Sequence, residues 1–161
     1  MPRRVAQDSI GIPPAPLDWK RVRKSIVFAG ATGNGIGDES GSGNPADIFT
    51  VTGSVKVRLY AICTNNLSFA ANATIEVGIT GDTAVLITTT DLTSEALVAK
   101  EIWHDTTPDK EIELTSVGKE YIITDGNDII LTVGVADVNT GTLLFVCEWT
   151  PLGTDGNIIA A

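Results

Sequence analysis

Apolar side chains recur at every second position through most of this chain, the period of an extended strand whose two faces meet different surroundings. Val55, Val57, Leu59, Ala61 and Cys63 alternate with Lys56, Arg58, Tyr60 and Ile62, giving one apolar and one mixed face. Ile75, Val77 and Ile79 alternate with Glu76 and Gly78. Ile129, Leu131, Val133 and Val135 alternate with Ile130, Thr132, Gly134 and Ala136, and Leu143, Phe145, Cys147 and Trp149 with Leu144, Val146 and Glu148. Residues 24–28 and 84–88 add two further runs; 46–51, 101–103, 111–114 and 119–123 are shorter candidates. Turn chemistry separates the runs at Gly81-Asp82 and Asp125-Gly126-Asn127, and Asn139-Thr140-Gly141 predicts a hairpin between the last two long runs. The helical signal is confined to 90–97, where Asp91 can cap one turn or two. About eight to ten short strands with Gly, Asn and Asp turns predict an all-β fold, an antiparallel β-sandwich of jelly-roll type.

Two stretches break the alternation. Residues 30–45 hold six glycines in sixteen positions, the composition of a long loop, and loops of that length are commonly functional or mobile. Residues 1–23 contain Pro13, Pro14 and Pro16, which favour extended polyproline II and forbid helix. The predicted organisation is an extended N-terminal arm over 1–23 and a β-sandwich over 24–161.

Charge sharpens that division. Residues 1–24 carry six basic and two acidic side chains, a net +4, while the remainder carries five basic and eighteen acidic, a net −13. An acidic body repels nucleic acid and anionic membrane, so neither is an expected partner; the basic leader suits an acidic surface, on another protein or on a neighbouring copy. Trp19, set among Asp18, Lys20 and Arg21, reads as a contact point, the alternative being that it folds back on its own domain. No apolar run approaches the roughly 18 residues that span a bilayer, and no secretory h-region follows the basic start. The expectation is a protein that stays where it is made or leaves by another route.

Candidate chemistry is thin. His104 is the single histidine, which excludes a multi-histidine zinc centre, and no nucleophile elbow accompanies it. Glu76 and Glu148 are a conceivable carboxylate pair, although each occupies the polar side of an alternating strand. Asp38, Glu39 and Asp47, or Asp125, Asn127 and Asp128, carry calcium-compatible oxygens without EF-hand spacing, and turn chemistry accounts for them. Gly33-Asn34-Gly35-Ile36-Gly37 lacks the lysine and following helix of a phosphate loop. Cys63 and Cys147 lie in apolar strands and read as buried thiols, with an inter-strand disulfide as the alternative. No catalytic residue, metal ligand or cofactor is predicted.

Gly53-Ser54-Val55-Lys56-Val57, Ile75-Glu76-Val77-Gly78-Ile79, the closing run Gly141–Leu152 and the tail Gly153–Ala161 give the 25–161 span a general character. It resembles the small β-rich decoration, or cement, proteins of tailed-bacteriophage capsids. The resemblance implies a non-enzymatic homotrimer on the virion surface that stabilises the shell by binding the major capsid protein, partly through extended arms. The resemblance also implies assembly in the host cytoplasm. On that reading the partner-binding residues are Arg3, Arg4, Trp19, Lys20, Arg21 and Arg23. The alternative is a carbohydrate- or receptor-binding sandwich, which would need an exposed aromatic platform, such as Tyr60, Trp103 and Tyr121 clustered together.

Overall fold

A computed structural model describes residues 18–110, 112, 119–124 and 126–161. Eleven strands are present among them: β1 Lys20–Phe28, β2 Ala46–Thr52, β3 Val55–Phe69, β4 Thr74–Ile79, β5 Asp82–Asp91, β6 Glu101–Trp103, β7 Asp109–Lys110, β8 Tyr121–Ile123, β9 Ile129–Gly134, β10 Val138–Pro151 and β11 Asn157–Ala160. They form two wholly antiparallel sheets. Sheet A runs β1-β10-β3-β6-β7, with β8 on the same side of β3 as β6; sheet B runs β11-β2-β9-β4-β5. The pairs are nested: β4 with β5, β3 with β6 and β8, β2 with β9, β1 with β10.

The two sheets share one core, because the period-two pattern places one apolar set per strand between them. Sheet A contributes Ile26 and Phe28, Val55 to Cys63 at alternate positions, Trp103, Leu143, Phe145 and Cys147; sheet B contributes Phe49, Val51, Ile75, Val77, Ile129, Leu131 and Val133. At its centre the Trp103 and Phe145 rings meet edge to face, centroids 6.3 Å apart, and the Trp103 indole N–H donates to Thr90 Oγ1 at 2.9 Å. Both cysteines are buried and free, so the thiol reading holds; burial pushes Cys63 up to about 11 and Cys147 to about 12.

Two expectations are corrected. The first strand begins at Lys20, four residues before the expected start, so Lys20, Arg21 and Arg23 belong to the sheet edge and not to a free arm. The runs at 129–134 and 138–151 are not a hairpin. They lie in different sheets, and Asn139-Thr140-Gly141 sits inside β10 as an irregularity against β3, with Gly141 at φ 120°. The turn signal there marks a bulge. The helical signal at 90–97 is met by one turn over 92–95, capped as expected by the Asp91 carboxylate on the Thr93 N–H at 2.8 Å, and no α-helix occurs among the described residues. The Gly81 turn is a tight β4–β5 hairpin as expected, while Asp125 lies outside the described residues.

The glycine-rich 30–45 segment is a loop, but a pinned one. Val138 N donates to Gly37 O at 2.8 Å and Glu39 N to the Asp137 carboxylate at 2.9 Å. The Asn44 side chain bridges strand and loop, donating to the carbonyls of Glu39 and Val133 at 2.7 Å and accepting from Val133 N at 2.9 Å. Glycine is required for the approach: a Cβ on Gly37 would stand 2.3 Å from the Val138 carbonyl.

Candidate functional site: the outer face of sheet A

Arg3 and Arg4 lie outside the described residues; the other four candidate residues cluster at one end of sheet A. Register places them. Arg21 faces outward opposite Glu148, which faces Arg58; Arg23 is opposite Val146, which faces Tyr60; Ser25 is opposite Leu144, then Ile62, then Ile102. On the far side of Arg58, Lys56 stands opposite Ile122. The outer face of the sheet therefore carries two zones. One is cationic, with Arg21, Arg23, Lys56 and Arg58 against Glu148 and Glu120, a net +2 on a chain of net −9. The other is apolar, formed by the partly exposed Tyr60, Leu144, Ile62 and Ile102 around the buried Val146, with Val27 on the edge strand at 62 % exposure.

The cations are arranged, not scattered. Arg21 donates to Glu148 at 2.6 Å, and Glu120 bridges Lys56 and Arg58. Those hydrogen bonds, Lys56 foremost, hold the Glu120 carboxyl below its usual range, while Glu148 raises the Arg21 guanidinium. Trp19 is half-buried beneath this bridge, 4.7 Å from the Arg58 guanidinium and 5.7 Å from the Lys56 ammonium, so it folds back on its own domain. Lys20 and Lys24 have the opposite parity. Lys20 sits 4.8 Å from the Trp149 ring at the end of the core, and Lys24 reaches the backbone carbonyls of Asp47, at 3.1 Å, and Ala161 at the corner between the sheets. Arg23 alone of the group makes no side-chain bond to a described residue. The sequence reading missed Lys56, Arg58 and the apolar zone; the mixed outward face of the 55–63 alternation was the available signal.

The other candidate chemistries are taken apart by the fold. Glu76 and Glu148 project from the outer faces of opposite sheets, so they cannot flank a common bond. The Asp38 carboxylate accepts from Asn34 N at 2.7 Å and Ser40 N at 3.1 Å, which lowers its pKa, Asn34 contributing most. Asp128 accepts from Val51 N at 2.8 Å. No group of three or more His, Cys, Asp or Glu side chains among the described residues is placed to hold a metal ion. Trp103 is fully buried and Tyr121 packs against the core, so with Tyr60 on the outer face the three aromatics form no common platform. No described helix is long and apolar enough to cross a membrane. No family model, curated protein or solved structure matches the chain.

Proposed function

We propose that this chain is a non-enzymatic structural protein of a bacteriophage virion, which self-associates as a homotrimer and stabilises the shell by binding the lattice of the major capsid protein. The reading rests first on the resemblance of residues 25–161 to capsid decoration proteins. The observation that carries it is the outer face of sheet A, a broad surface half apolar and half cationic on an otherwise acidic body. A sheet face exposed to water on a lone molecule is expected to be polar throughout, and a contiguous apolar area rimmed by charge marks an interaction surface. The nested strand pairs support a jelly-roll wrapping, an architecture shared by viral capsid domains and by lectins, which carries the fold and not the function.

The test is co-sedimentation of the purified full-length chain with phage shells that lack decoration. Saturable binding is expected, weakened at least tenfold in Arg21→Glu and unaffected by Glu76→Gln on the opposite face. Binding by Arg21→Glu equal to that of the unaltered chain, or no binding by either, removes the capsid reading.

A further inference from the structure

Val135 holds a strained backbone conformation at an exposed position. Ala136 N donates to Gly134 O at 2.8 Å, closing a three-residue γ-turn with Val135 at its centre and φ 68°. The γ-turn of positive φ is the rarer and strained one, and a β-branched side chain worsens it. Burial does not offset the strain, since Val135 is 69 % exposed. Glycine or asparagine would sit there with less strain. The turn is nonetheless held firmly. The Asp137 carbonyl accepts from Ala70 N at 2.8 Å, its carboxylate accepts from Glu39 N, and Val138 N is tied to Gly37. The result is a rigid prong with an apolar tip, flanked by the Asp137 carboxylate and by the acidic loop at Asp38 and Glu39 to which it is bonded.

Prong and outer face are complementary, and they lie at opposite ends of the same strand. The prong precedes Val138 at the start of β10; the cationic zone surrounds Glu148 near its end, about 30 Å away at strand rise. A single copy cannot seat its own prong on its own face, whereas a second copy can. Face-to-face pairing with the cationic ends of the two copies aligned would bring like charges toward one another. Head-to-tail pairing instead sets Asp137 and Glu39 of one copy against Arg21, Arg23 and Arg58 of the next.

We infer that copies of this chain associate head to tail, the acid-bordered Val135 prong of one seated on the apolar, cation-edged outer face of sheet A of the next. The inference rests on the self-association proposed above and is independent of what the assembly attaches to. Such a contact is heterologous, so it closes into a ring when its rotation permits, which accommodates a trimer.

The experiment is sedimentation velocity on the full-length chain across a concentration series, with Arg23→Glu, Glu39→Lys and the double variant. Both positions are exposed and neither side chain bonds a described residue, and circular dichroism confirms that each variant keeps its strand spectrum. Each single variant should weaken association about a hundredfold, because a like charge replaces an opposite one, and the double variant should recover most of the loss. Val135→Gly should weaken association while raising the thermal midpoint, a pair of opposite signs that a purely structural role does not produce. A chain monomeric at every concentration, single variants that associate like the unaltered protein, or a double variant no better than the singles would each overturn the inference. Association that persists without capsid binding would retire the virion reading and leave this one standing.

Discussion

The outer faces of the two sheets answer water differently. On sheet B the outward positions of the central strands are Thr74, Glu76 and Gly78 on β4 and Ile130, Thr132 and Gly134 on β9. The Glu76 carboxylate accepts from the hydroxyls of Thr83 and Thr89 on the adjoining strand, while the Thr132 hydroxyl opposite it is buried without a hydrogen-bond partner. Ile130 is the apolar exception, and it lies opposite Gly78, where the backbone of Asp82 and Thr83 folds so close that a Cβ would stand 2.0 Å from the Asp82 carbonyl. On sheet A the equivalent central positions are Leu144, Val146, Tyr60 and Ile62. Both sheets share the same core and the same antiparallel pairing, so packing does not require this difference. The central strands of sheet A thus turn more apolar side chains outward than those of sheet B, the feature on which the proposed partner contact rests.

The largest effect separates inside from outside on a single strand. Phe145→Ala removes a fully buried ring and its edge contact with Trp103, and should lower stability by about 4 kcal/mol, read from the denaturant midpoint. Leu144→Thr, one residue away and facing outward, should change monomer stability by less than about 1 kcal/mol and act instead on association. Equal losses of stability at the two positions would mean that the outer face of sheet A is sealed within the monomer, and the comparison would collapse.

The second effect probes sheet B. Glu76→Ala removes the acceptor of the Thr83 and Thr89 hydroxyls, which water can replace on this outer face, and should cost about 1 kcal/mol or less in chemical denaturation, with sedimentation unchanged. A shift in association from this substitution would show that face B also meets a partner.

Much of this architecture is legible in the alternation, and its failures have physical causes. Inward sets such as Val55 to Cys63 and Leu143 to Trp149 follow directly from period two, because one face of each strand must be dry. Which sheet receives each strand does not follow, since burial is the same on either side of a common core. The expected hairpin between 129–136 and 143–149 failed for that reason: Asn-Thr-Gly marks local backbone freedom, and a bulge uses it as well as a turn does. The boundary at Lys20 was hidden because Lys20-Arg21-Val22-Arg23-Lys24 reads as a solvated leader. In the sheet Lys20, Arg21 and Lys24 reach Trp149, Glu148 and the carbonyls at the corner, partners that only tertiary register supplies, while Arg23 stays exposed on the edge strand. The Val135 prong was legible only as one more inward-phased valine; its positive φ comes from the strand ending one residue earlier.

The smallest effect concerns the ionic bridge that fixes the cationic end of face A. Glu120 is exposed, and its carboxyl is held below its usual range chiefly by the Lys56 hydrogen bond and then by that from Arg58. A depressed folded-state pKa means that the folded protein binds its proton less readily than the unfolded chain. The resulting stabilisation is present above the ordinary carboxylate range and is lost as pH falls through the depressed value. Glu120→Gln should therefore lie slightly below the unaltered protein in denaturant midpoint at neutral pH, and the two should converge in acid. Because the pair is solvated, added salt should shrink the neutral-pH gap as well. A gap that persists in acid and in salt would assign the role of Glu120 to the shape of its side chain over Trp19 instead of to its charge. The cationic zone would then owe its order to packing, as the core beneath it does.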